Sequence, residues 1–217
     1  MVELFEMLGK YFPLLLEGLK NTIIIAIGGV ALGVVLGIIL CIMSISKNIV
    51  LRAIASFYIV VVRGIPLMIL ALFLYFGVIK NALPVLFSAI IILGINSSAF
   101  VSEVFRGGIQ AIDVGQMEAA RSLGLNGFQT MSRIILPQAF KIMIPALMNQ
   151  FIASLKDTSI LSAISVSELT MQARTIIART YKPFEIYFFV LVMYVILITA
   201  LTFVSKVIER KMNYDKR

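Results

Sequence analysis

Long apolar runs alternate with short polar segments along the chain. A helix needs about 20 consecutive apolar residues to cross the hydrocarbon core of a bilayer, and five runs are long enough. The pattern predicts membrane spans at Thr22–Met43, Phe57–Ile79, Leu86–Phe105, Ile142–Ser162 and Phe184–Val204. We therefore expect an all-α integral membrane protein with five transmembrane helices and a single transmembrane domain over residues 1–217.

The composition agrees with a chain whose natural solvent is lipid. Of its residues, 60% are hydrophobic and only 14% are charged, which is more apolar surface than a soluble domain of this length can bury. The net charge of +8 does not form a basic stripe with interleaved aromatics, so nucleic acid is not an expected partner. The chain has no histidine and one cysteine, Cys41. This excludes His-based acid–base catalysis, most zinc or haem sites and disulfides within the chain.

The Lys and Arg residues are divided unequally between the two sides of the predicted spans. Eleven lie on one side and six on the other, while Arg63 and Lys156 fall within spans. Because cytoplasmic loops carry the excess of Lys and Arg, the side with eleven should face the cytoplasm. This predicts a multi-pass protein of the cell membrane with its N-terminus outside and its C-terminus in the cytoplasm. The polar segment 112–137 would then be cytoplasmic.

Two local patterns modify the predicted spans. Gly29, Gly33 and Gly37 are spaced four residues apart in the first span, which allows another helix to approach closely. The second span contains "RGIP", Arg63 to Pro66, in which glycine and proline interrupt the helix. Arg63 is either an interfacial side chain at a simple kink or part of a pathway through the membrane, since an arginine at membrane depth needs water or a partner.

The polar segment has the signals of two short helices joined by a turn. Asp113 is a possible N-cap, and Gly124 suits a left-handed stop at the end of the first helix. Asn126 offers a second N-cap with Gln129 three residues later, which resembles a capping box. Pro137 is expected to end the second helix. A structureless loop would not need two caps and a helix-stopping glycine, so we expect a docking hairpin.

The same segment resembles a known transporter signature. ABC importer permeases carry the pattern EAA, three residues, G, nine residues and then I-x-LP in a cytoplasmic loop, and this chain matches all seven defined positions. The residues that the resemblance assigns to ATPase coupling are Glu118, Ala119, Ala120, Gly124, Leu136 and Pro137. Two further motifs, "RGIP" and "SLKDTSI" at 154–160, add to this resemblance. With them, the chain most closely resembles the polar amino acid permeases, the histidine/arginine/glutamine-type importers.

The resemblance implies a type I ABC importer permease fold with a cytoplasmic coupling hairpin. It also implies three kinds of protein partner: a second permease subunit, identical or paralogous, a cytoplasmic ABC ATPase dimer and an extracytoplasmic amino-acid-binding protein. Glu118 would meet a basic residue of the ATPase. The chain lacks a G-x-x-x-x-G-K-[ST] loop, so ATP would be bound by the partner. We expect a non-catalytic subunit without a cofactor or metal of its own.

Polar residues within the spans are the candidates for substrate binding. They are Arg63, Asn96, Ser102, Glu103, Asp157 and Thr158. Asn96 and Glu103 are seven residues apart and share one helical face. Glu103 could instead pair with Arg106 at i+3, and Asp157 could form a structural ion pair with Arg63 or with Lys156 of a second subunit.

The two acids suggest a class of substrate. Glu103 and Asp157 together exceed what a neutral amino acid needs, so a cationic substrate (arginine, lysine or histidine) is favoured over glutamine. A small ion channel with charged rings is a further alternative, but it does not account for the docking hairpin. An intramembrane enzyme is disfavoured because the chain shows no clear arrangement of nucleophile and base.

Overall fold

The computed structural model describes residues 2–79 and 82–214, with the side chains of residues 9–79 and 82–211. Lys80, Lys216 and Arg217, which enter the charge count, lie outside the described residues. The described chain consists of helices and their connections. In order these are α1 (Val2–Ser44), α2 (Ile49–Gly64), α3 (Leu67–Leu72) with a π-helical extension (Phe73–Ile79), α4 (Val85–Gln110), α5 (Val114–Ser122), α6 (Gly127–Thr130), a π-helical segment (Met131–Ile135), α7 (Leu136–Asp157), a 3₁₀ segment (Thr158–Ile164), α8 (Leu169–Thr180) and α9 (Pro183–Tyr214).

Four of the described helical stretches are long and apolar enough to cross a membrane. They are Gly9–Ser44, Val85–Gln110, Gly127–Ile164 and Pro183–Lys211. A fifth span is formed if the bent pair Ile49–Gly64 and Leu67–Ile79 is counted as one. The structure therefore has the predicted five spans if the bent pair is counted as one. Several predicted spans are shorter than the observed helices, because the helices continue beyond the apolar runs.

The second span is broken rather than merely kinked. The predicted span was Phe57–Ile79 with an interruption at "RGIP"; α2 already begins at Ile49, the interruption is confirmed, and the axes of the two helices differ by 107°. Pro66 lacks a backbone N–H and disfavours helical geometry in the residue before it. Ile65 accordingly adopts an extended conformation, with φ −96° and ψ 130°, and the chain changes direction there.

The centre of the fold is the close packing of α1 against α4. The predicted glycine stripe lies in this contact, because a Cβ atom at Gly29, Gly33 or Gly37 would come within 2.7–2.8 Å of a side chain of α4. The close approach that the spacing predicted is confirmed, and it occurs within one chain. Buried apolar residues, among them Ile25 and Ile92, extend this contact into a core shared with α3 and the 3₁₀ segment.

A second core joins the first part of α1 to α8 and α9. Leu15 of α1 packs with Leu169 and Ile176 of α8 and with Ile186 of α9. A Cβ atom on Gly18 would lie 2.9 Å from the Cα atom of Leu169, so the two backbones nearly touch. The segment between the fourth and fifth spans is therefore held firmly on the first span.

Candidate functional site

The polar segment 112–137 forms the hairpin that its caps predicted. Asp113 accepts a hydrogen bond from the backbone N–H of Gly115 at 2.6 Å and begins α5. Gly124 has φ +83°. The N–H of Gly124 donates to the carbonyl of Arg121, and the N–H of Leu125 donates to that of Ala120. These two bonds form a Schellman motif, which ends α5 at the predicted glycine.

The second arm of the hairpin starts with a complete capping box. The side chain of Asn126 accepts a hydrogen bond from the backbone N–H of Gln129 at 2.9 Å, and the side chain of Gln129 accepts one from the N–H of Asn126 at 3.0 Å. Each residue thus satisfies a backbone donor of the other.

Pro137 does not end this second arm, contrary to the prediction. The helix continues from Gly127 to Ile164. It passes through a π-helical turn, Met131–Ile135, in which the N–H of Leu136 donates to the carbonyl of Met131. A proline ring displaces the carbonyl four residues earlier and removes one backbone donor, and the wider π turn next to it accommodates that displacement. The side chain of Gln138 donates to the carbonyl of Ile134 at 2.9 Å.

Most residues assigned to coupling lie on the surface of the hairpin. Glu118, Ala119, Gly124, Leu136 and Pro137 are exposed, whereas Ala120 is buried. The hairpin also exposes large apolar side chains, with 84% of Leu123 and 82% of Phe128 accessible. Exposed apolar groups on a polar element are typical of a surface that contacts another protein.

Within the membrane, Glu103 lies between two arginines. Its carboxylate accepts hydrogen bonds from Arg106 at 2.7 and 2.9 Å, and Nη1 of Arg63 lies 3.5 Å from Oε2. Arg63 also stacks over the ring of Phe100, 5.5 Å from its centroid. Arg63, Glu103 and Arg106 line an open cavity of about 380 Å³ between α2 and α4, and Arg52 forms another part of its wall. The alternative interpretation of Glu103, an ion pair with Arg106 at i+3, is the arrangement observed.

Three of the other predicted substrate residues are buried by helix packing. Asn96 is 5% exposed, and Ser102 and Thr158 are fully buried. Thr158 donates to the carbonyl of Leu155 at 2.7 Å. Among the described side chains, the hydroxyl of Ser102 has no hydrogen-bond partner.

Asp157, the remaining predicted acid, stands apart from the Glu103 cluster. It is half-buried at the end of α7 beside the exposed Lys156. Within the part of the chain that the structure describes, it forms no ion pair, so its carboxylate is not neutralised by direct contact with a cation.

A buried carboxylate that the sequence did not point to is Glu168. It lies outside the candidate spans, is fully buried and caps α8 by accepting from the N–H groups of Thr170 and Met171 at 2.8 and 2.7 Å. The hydroxyl of Tyr194 lies 3.5 Å from its Oε2. Burial raises the pKa of Glu168 to about 7, against the opposing effect of these hydrogen bonds. An acidic residue directly before a helix-forming stretch was the available signal of a cap.

The chain is similar to a family of known proteins. Residues 29–214 match the model of the binding-protein-dependent transport system inner membrane component. The chain belongs to this family. The permease is 37% identical over 210 residues to the glutamine transport system permease protein GlnP of Escherichia coli K12, covering 93% of this chain and 94% of GlnP. It is also 37% identical over 204 residues to the arginine transport system permease protein ArtQ of Bacillus subtilis, covering 93% of each.

A solved structure agrees with the permease over almost its whole length. A chain from the crystal structure of an amino acid ABC transporter with histidines superposes with a TM-score of 0.89 and 38% sequence identity. The superposition covers 94% of the permease and 96% of that chain. The predicted all-helical ABC importer permease fold is confirmed, and so is the membrane location. The chain is a non-catalytic component of such a transporter, as predicted.

Proposed function

We propose that the permease forms the translocation path of an ATP-driven importer for a polar amino acid. The names of its relatives, a glutamine permease and an arginine permease of equal identity, support an amino acid as the substrate. A small ion channel, the alternative from sequence, gains no support from these relatives. The observation that carries the proposal is the exposed hairpin with its two caps and its apolar tip, which has the form of a docking element.

The hairpin couples the permease to an ABC ATPase dimer in the cytoplasm. Glu118 on α5 meets a basic residue of the ATPase, and the exposed Leu123 and Phe128 enter an apolar recess there. Since the second arm continues without interruption into α7, a movement of the hairpin displaces the fourth span as a rigid body. ATP is bound and hydrolysed by the partner, so the permease needs no cofactor or metal of its own.

The transport unit contains further subunits. A second permease chain, identical or paralogous, completes the path through the membrane. An amino-acid-binding protein delivers the substrate on the extracytoplasmic side, in keeping with the family description. The N-terminus is outside and the C-terminus is in the cytoplasm, as the distribution of Lys and Arg predicts.

The substrate that we favour is a cationic amino acid: arginine, lysine or histidine. Asp157 supplies the acid for its positive charge, because it has no ion-pair partner among the described residues. The polar groups of Asn96, Ser102 and Thr158 become available when the helices separate during transport. Arg63 and Glu103 share one open cavity, and in the proposed orientation they contribute to the cytoplasmic part of the path.

Glutamine is the second candidate, and one observation favours it. Glu103 is already neutralised by Arg106 and contacts Arg63. Only one of the two acids on which the cationic prediction depends is therefore available, and a single acid suffices for the ammonium group of a neutral amino acid.

The test is ATP-driven uptake by liposomes that contain the permease, its ATPase and its binding protein. Arginine and glutamine are compared for the wild type, Asp157→Asn and Glu103→Gln, with Lys206→Gln as a surface control. The cationic proposal predicts preferred arginine uptake that falls at least about tenfold in Asp157→Asn, as expected when a charge-assisted contact is lost. Preferred glutamine uptake supports the second candidate. A wild-type complex that imports no amino acid contradicts the proposed function.

A further inference from the structure

A second open cavity lies between α3, the 3₁₀ segment and α8, far from the Glu103 cluster in sequence. Its volume is about 630 Å³, and two arginines of α8, Arg174 and Arg179, form part of its wall. The hydroxyl-bearing residues Ser162, Ser165 and Thr175 also line it. The cavity is thus rich in hydrogen-bond donors.

The two guanidinium groups at this cavity have no acidic partner in the described chain. The two ion pairs of the described chain lie elsewhere: Arg63 and Arg106 each pair with Glu103. Arg174 and Arg179 are exposed, and neither donates a hydrogen bond to a described residue. An arginine fork binds a carboxylate through two parallel hydrogen bonds. Two such forks at one cavity, with hydroxyl groups beside them, form a suitable site for a small carboxylate.

The cavity lies at the end of the fourth span that is remote from the hairpin. The hairpin precedes α7, and the cavity follows it. The 22 residues of α7 span about 33 Å, and the seven residues of the 3₁₀ segment add about 14 Å. The cavity and the coupling hairpin therefore lie toward opposite ends of this span. In the proposed orientation, the cavity is on the side where the binding protein delivers substrate.

We propose that Arg174 and Arg179 form an entry site that binds the α-carboxylate of the amino acid before it moves into the membrane. The inference rests on the proposed function, yet it does not depend on which amino acid is carried, because arginine and glutamine share this group. Met68 and Leu72 complete the wall of the cavity and provide contact for the aliphatic part of the side chain. The selection of the substrate side chain would then take place deeper, near Asp157.

The experiment measures direct binding to the purified permease–ATPase complex without the binding protein. The probes are L-arginine and L-argininamide, or L-glutamine and its α-amide if uptake first identifies glutamine as the substrate. The amide keeps the side chain and the α-amino group but has no negative charge, and an NH₂ donor replaces one of the two acceptor oxygens. We expect it to bind the wild type at least about tenfold more weakly than the acid. The ratio of the two affinities, acid over amide, should approach one in the double variant Arg174→Gln/Arg179→Gln. In Arg174→Lys it should stay partly preserved. Lys206→Gln is the matched control, since it removes an exposed charge on α9 and should leave the ratio unchanged.

Two results overturn the inference. One is an unchanged ratio in the double variant; if that variant has also lost affinity for the loaded binding protein, the arginines dock that protein instead. The other is an absence of wild-type binding in a complex that does transport the substrate. A complex that transports no amino acid contradicts the proposed function instead, so the two failures can be told apart.

Discussion

The side chain of Thr22 accepts a hydrogen bond from the backbone N–H of Leu169, 147 residues later in the chain, at 3.1 Å. Both residues are fully buried. A neighbouring bond runs from the side chain of Asn21 to the carbonyl of Ser167 at 2.8 Å. These contacts fasten the beginning of α8 to the first span, and they keep the wall of the proposed entry cavity in place.

The first prediction concerns Thr22. Thr22→Val keeps the shape of the side chain but removes the acceptor for the buried N–H of Leu169, which should lower the free energy of unfolding by about 1–3 kcal/mol. Thr22→Ser retains the hydroxyl and should be less affected. Thermal unfolding of the two variants in detergent measures the difference. Equal midpoints for Val and Ser would show that the bond contributes nothing to stability.

The buried Glu168 predicts a pH dependence of stability. Its pKa is raised from 4.5 to about 7 by burial, so between these values the folded protein holds a proton that the unfolded chain has released. The free energy of unfolding should therefore fall as the pH rises through this window, by at most on the order of 3 kcal/mol. Glu168→Gln cannot ionise and should lose this part of the dependence. Midpoints at about pH 5 and about pH 7.5 provide the comparison, and parallel changes in both proteins would refute the assignment.

The glycine that ends α5 predicts a selective loss of coupling. Gly124 has φ +83°, where a side chain with a Cβ atom costs about 1–2 kcal/mol. Gly124→Leu should disturb the hairpin and abolish ATP-driven uptake, while the spans still assemble. Gly124→Asn is the control, because asparagine tolerates this conformation. Normal uptake by the leucine variant would show that coupling does not depend on the turn at Gly124.

Changing the charge of Glu118 tests its proposed contact with the ATPase. It is exposed on α5, so Glu118→Lys should weaken co-purification of the ATPase without lowering the thermal stability of the permease. Glu118→Gln removes the charge without reversing it and should have a smaller effect. If the lysine variant retains full ATPase association, the proposed partner of Glu118 is wrong.

The orientation in the membrane can be tested with single cysteines. Gly9→Cys and Lys211→Cys, each in a Cys41→Ser background, place thiols at exposed positions near the two ends. An impermeant thiol reagent on cells without an outer-membrane barrier should label residue 9 and leave residue 211 unlabelled. The reverse pattern would invert the topology and move the hairpin out of the cytoplasm.

Local features could be predicted because they need only neighbouring residues. The capping box of Asn126 and Gln129 and the left-handed stop at Gly124 are complete within a few positions of the chain. The number of spans follows from apolar length in the same way. The prediction that Pro137 ends the second helix was wrong because a π turn accommodates the proline. No residue pattern in the sequence indicates such a turn.

The sequence by itself determined the helical membrane fold, the two caps and the glycine turn of the hairpin, and the resemblance to a family, since these depend on apolar length, on neighbouring residues and on fixed spacing along one segment. Only the tertiary structure decided which polar groups meet. The contact of Arg63 with Glu103 joins residues 40 positions apart, and Glu168 becomes buried only where α1 and α9 cover the start of α8. Burial and pairing of a side chain depend on elements that are distant in the chain, and a local pattern carries no information about which of them will pack against it.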